Sequence, residues 1–99
     1  MTTKIEAPGD ENRIGHFEID WSLIEAAQRE PQGKADRALR ALMAQVLITR
    51  AEFMAHRNCI EYAAYSRLFE PQRKGAMAPF YNITLRPDDE HIKVIAEVA

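Results

Sequence analysis

"KADRALRALMAQVLITRAEFMAHR", residues 34–57, decides the fold. At 100° per residue, Ala35, Leu39, Leu42, Met43, Val46, Leu47, Phe53 and Met54 fall within an arc of about 140°, the apolar stripe of an amphipathic helix. Gln45, Glu52 and Arg37 fall opposite. His56 and Arg57 would occupy the last turn, where cations suit the helix dipole. Asn58 suits the left-handed closing position. The periodicity predicts a single helix over about 34–57.

Arg50 sits awkwardly in that stripe. A lone buried guanidinium is prohibitive, so the side chain must be paired or reach water. Its stem could cover apolar surface while the head is solvated. It could pair with a carboxylate of the N-terminal third, Glu18 or Glu25. It could also face a pocket and hold a carboxylate or phosphate bidentately, with His56, Arg57 and Tyr62 nearby. A structural pair with Glu18 or Glu25 is the expectation. Ile48 departs in the opposite sense: it lies on the polar side with Ala41, Ala44 and Ala51 around it, a flat strip suited to helix-to-helix contact.

Working outward, Phe17, Ile19 and Trp21 alternate with His16, Glu18 and Asp20, the period of a strand with one buried face. Gly15 weakens that strand. In "WSLIEAAQREP", Ser22 and Glu25 have capping-box spacing, Trp21 can staple onto Ala26, and Pro31 stops the helix. A first helix is expected at about 23–30. Downstream, "CIEYAAYSRLFEP" fits either a continuation of the helix, which would then exceed about 30 residues and be unusually long for this domain, or a strand with Ile60, Tyr62, Ala64 and Leu68 on one face and Cys59, Ala63, Tyr65 and Phe69 on the other; the strand is the expectation. A basic loop, "EPQRKGAMAP", follows. "FYNITLRPDDEHIKVIAEVA" has the alternation and the proline-aspartate turn of a hairpin at about 80–98. The expected fold is α+β: two N-terminal helices packed on a small antiparallel sheet with a C-terminal hairpin. Residues 1–12 form a polar arm expected to be flexible, and 13–99 a single domain.

The chain has 99 residues, 46% hydrophobic and 28% charged, with net charge −2. That is ordinary usage for one small domain, whose limited core would gain from oligomerisation. Residues 1–33 carry three basic and seven acidic side chains, residues 34–86 nine and four, and residues 87–99 one and four. The acidic ends and basic middle can balance within one fold or between two copies. No run approaches the ~18 apolar residues of a membrane span. The N-terminus has no apolar signal region, and one cysteine, Cys59, excludes an internal disulfide; a cytoplasmic setting is expected.

Chemistry-bearing patterns are sparse. His56-x-x-Cys59 has metal-ligand spacing, but a structural zinc site needs four converging ligands, and no second pair at similar spacing is present. Neither a metal nor a cofactor is expected. Cys59 and His56 lack an orienting third group or an oxyanion site. The four glycines are isolated, so no phosphate loop is present. Lys34, Arg37, Arg40, Arg73 and Lys74 could meet phosphates, but no aromatic interleaving supports stacking on nucleic acid. The sequence therefore predicts a non-enzymatic protein-binding module, a homo-oligomeric adapter, regulator or inhibitor. Its expected interface residues are Ile48 and, at the loop tip, Arg73, Lys74 and Met77. The alternative is a binder of a small anion anchored by Arg50; nucleic-acid binding is a minor alternative.

Overall fold

The computed structural model describes residues 12–88 and 90–99; most of the expected flexible arm, 1–12, lies outside them. Its elements run β1 (Ile14–Asp20), α1 (Trp21–Arg29), α2 (Lys34–Met43), β2 (Leu47–Met54), β3 (Cys59–Tyr65), β4 (Tyr81–Asp88) and β5 (His91–Val98). The class is α+β, as expected, and the hairpin is C-terminal. The helices, however, lie mid-chain after a strand rather than at the N-terminus.

The larger correction is to the helix over 34–57. It ends at Met43, and residues 47–54 form a strand. The C-cap Ala44 donates to Arg40 O at 3.0 Å, and Gln45 N donates to Leu42 O at 2.9 Å. The chain then extends. "LITRAEFM" carries Ile48, Thr49 and Phe53, whose branched or aromatic side chains favour a pleated strand over a helix. The deciding term is tertiary. As a strand, β2 pairs antiparallel along the whole of β3, from Leu47↔Tyr65 to Met54↔Cys59, with a bulge between Ile48 and Arg50. Thr49 Oγ1 donates to Ala63 O at 3.0 Å beside that bulge. Asn58 does take a left-handed conformation, φ +50°, but it closes the β2–β3 turn and not a helix.

The first helix begins two residues earlier than expected. Asp20, not Ser22, is its N-cap: the carboxylate accepts from Ser22 N at 3.2 Å and also from the Ser22 hydroxyl. Trp21 is the first residue of α1 and so does not hold the staple position before the cap. Its ring meets Phe53 edge-on, with centroids 5.4 Å apart.

One sheet has the order β1-β3-β2, and the hairpin β4-β5 forms a second. The two are joined by a parallel bridge between His16 and Phe80. Phe17, Ile19, Leu42, Ala64, Phe69, Tyr81 and Val94 form the buried core. Phe17 stacks on Tyr62 at 5.2 Å, and Phe69 on Tyr81 at 4.4 Å. Gly15 lies under this aromatic pair; a Cβ there would meet Tyr81 Cε2 at 2.6 Å. The residue that weakens β1 by propensity is thus the one that lets Tyr81 close over it. Buried Ser66 ties the end of β3 to the α2–β2 turn, donating to Gln45 O at 2.7 Å and accepting from Leu68 N at 3.1 Å.

Candidate functional site: a groove between α2 and the C-terminal hairpin

On the hairpin, Ile83, Leu85 and Pro87 pair with Ala96, Val94 and Ile92. Strand alternation puts all six on one face. Val94 is buried in the core, whereas Ile83, Leu85 and Ile92 are half-covered and Pro87 is exposed. The apolar face therefore extends further than α2 covers it. The result is a cleft of about 1160 Å³ between α2, the start of α1 and the hairpin. Leu23, Ile83, Leu85 and Ile92 contribute apolar lining. Ala38, Ala41 and Ala44 recur on one face of α2 along the opposite wall. Their small side chains leave that wall of the cleft open.

The rim is cationic. Lys34, Arg37 and Arg40 border the cleft, with His91 and, among the described residues, a single carboxylate, Glu90. Arg40 is engaged within α2: its Nε lies 3.1 Å from the Asp36 carboxylate. That carboxylate also accepts from Gln32 N at 2.8 Å, across a backbone held at φ +67°. The Gln32 amide, then Arg40, hold the Asp36 carboxyl below its usual range. Lys34 and Arg37 are exposed, and their side chains have no ion-pair or hydrogen-bond partner among the described residues.

The residues singled out by sequence fall elsewhere. Arg50 lies on β2 with its side chain 74% exposed, and its guanidinium is 3.2 Å from Glu52. It is not in an apolar stripe, and the expected partners hold other arginines: Glu18 pairs with Arg57 at 2.7 Å and Glu25 with Arg29 at 3.3 Å. Arg57 also reaches Glu61 at 3.0 Å and His56 Nε2 at 3.1 Å. So His56 and Arg57 do come together, but around the Glu18 and Glu61 carboxylates. Tyr62 is on the opposite face of β3, stacked on Phe17. The register aligns it with Ala51, while Arg50 is aligned with Ala63 on the other face.

Cys59 is buried, and burial pushes its thiol up, against the pull of Arg57. Arg57 is raised in turn by its contact with Cys59 and then by Glu18. A protonated thiol is a poor nucleophile and a poor metal ligand at neutral pH. Among the described residues, no three ligating side chains converge, and no helix is long and apolar enough to cross a membrane.

Of the expected interface residues, Arg73, Lys74 and Met77 share the tip of the β3–β4 loop. Ala76 N donates to Arg73 O at 3.0 Å there, and Met77 is 93% exposed. Ile48 is apart from them, half-buried on β2 against the core. No local pattern in the sequence marks the groove as a unit. Its signals were present separately: the cations Lys34, Arg37 and Arg40, the Ala41 and Ala44 strip, and the apolar face of the hairpin.

No protein-family model matches the chain, and comparison with curated proteins and with solved structures gives no significant match.

Proposed function

We propose that this chain is a protein-binding module that seats an acidic amphipathic segment of another protein in the α2–hairpin groove. One observation carries the reading: an apolar floor left open beside two cations, Lys34 and Arg37, that have no partner among the described residues. Burying apolar side chains of a ligand on that floor supplies affinity, at about 25 cal/mol per Å² before the costs of association. Carboxylates on the ligand meeting Lys34 and Arg37 supply orientation and a faster encounter. An apolar stripe at i, i+3, i+4 and i+7 with flanking glutamates has the required form. Chemistry is not required of the module. It would act as an adapter, regulator or inhibitor by occupying the segment it binds.

The test uses a fluorescently labelled helical peptide with leucines at those positions and glutamates beside them. Its anisotropy should rise on titration with the protein. Lys34→Glu with Arg37→Glu should weaken binding at least tenfold, and a lysine-for-glutamate peptide should bind the wild type equally poorly. Undiminished binding by the charge-reversed protein would reject this reading. Displacement of the peptide by millimolar inorganic phosphate would favour a small-anion site instead.

A further inference from the structure

We propose that β2 is a self-pairing edge through which two copies of this chain form a two-fold dimer. β2 stands at the end of the strand order β1-β3-β2, so among the described residues one side of its backbone has no strand beside it. Every residue of β2 is exposed or half-exposed, with Leu47 at 68% and Phe53 at 53%. Open edges of this kind template the addition of a strand, and proteins that stay monomeric shield them. Here the only irregularity is the bulge between Ile48 and Arg50, which leaves the stretch from Arg50 to Met54 regular.

The side chains select the partner and the register. Antiparallel pairs alternate between hydrogen-bonded and non-hydrogen-bonded, so a two-fold axis must set one residue opposite itself. Around the middle of β2 there are three choices. Arg50 opposite Arg50, or Glu52 opposite Glu52, places like charges across the ladder, which is destabilising. Ala51 opposite Ala51 places Arg50 opposite the partner's Glu52 and Glu52 opposite the partner's Arg50. Within one chain these two side chains already meet at 3.2 Å on one face of the strand. The dimer closes them into a ring of four alternating charges. The regular ladder then spans Arg50 to Glu52 of each copy, Phe53 lies beside the partner's bulge residue Thr49 at each end, and Ala51 at the centre offers no steric obstacle. The sheet becomes a continuous six-stranded one. The groove is lined by α2, the start of α1 and the β4–β5 hairpin and by no residue of β2, so the dimer does not depend on the proposed ligand.

The experiment measures molar mass in solution by light scattering on the full chain and two charge variants, Arg50→Glu and Glu52→Arg. Both positions are exposed, and circular dichroism establishes that each variant folds. The wild type should have the mass of two chains. Each variant alone should fall to one chain, because its two-fold pairing opposes like charges. An equimolar mixture of the two variants should return to two chains, since each supplies the charges the other lacks. Ala51→Cys should cross-link to its copy under mild oxidation more readily than Arg50→Cys. A monomeric wild type, or a dimer that persists in either charge variant, would overturn the proposal; so would a mixture that stays monomeric.

Discussion

Gly15→Ala adds a single methyl, and the structure sets its cost. The new Cβ would lie 2.6 and 2.7 Å from Tyr81 Cε2 and Cδ2 and 3.0 Å from Phe69 Cδ2. Neither ring can move aside easily. Tyr81 is 3% exposed and Phe69 fully buried, and the two are stacked. Tyr81 Oη also accepts from Glu70 N at 2.8 Å, so a shifted ring loses that bond. Overpacking costs about 1–3 kcal/mol and the hydrogen bond about 0.5–1.5 kcal/mol. Alanine recovers about 0.4–1 kcal/mol by restricting the unfolded chain. The net loss is about 2 kcal/mol, which for a domain of this size lowers Tm by roughly 8–16 °C. Thermal unfolding followed by circular dichroism reads this directly. Tyr81→Leu should remove most of the clash, so Gly15→Ala should cost markedly less in that background. A Gly15→Ala protein as stable as wild type, or equal costs in both backgrounds, would refute the packing argument.

Two further outcomes follow from side chains that hold turns. Ser66→Ala removes the donor to Gln45 O and the acceptor for Leu68 N in a buried setting, and should cost about 1–3 kcal/mol in urea unfolding; a change within error would mean that water replaces the hydroxyl there. The Asp36 carboxyl is held below its usual range by the Gln32 amide and then Arg40, so its contribution is present above the unfolded carboxyl pKa and is lost as pH falls through the lower folded value. Asp36→Asn should therefore lower Tm near pH 7 and have a smaller effect near pH 2, whereas an equal loss at both would show that the charge is irrelevant.

The candidate site was legible only in fragments. Lys34, Arg37 and Arg40 stand out as cations and Ala41 and Ala44 as a flat strip. Nothing in their spacing, however, says that Leu85 and Ile92, more than forty residues later, will complete the opposite wall. Arg50 was a misleading signal for a physical reason. Seen as helical it is a charge in an apolar stripe. On an edge strand it is a solvated side chain, balanced by Glu52 two residues on.

Local chemistry was enough for several elements. The alternation in residues 81–98 specifies the hairpin, although Pro87, expected in its turn, is paired with Ile92 inside β4; the period of 2 in 16–20 specifies β1, and Pro31 closes the first helix. These signals depend on neighbours within a few residues, and the tertiary structure leaves them unchanged. Residues 47–54 were different. Their apolar positions fit a helical arc extending from α2 as well as they fit a strand, so period alone could not choose. The choice came from β3, whose second edge offered β2 a full backbone ladder. That gain depends on a neighbouring strand brought alongside, and no hydrophobic period within the segment records it.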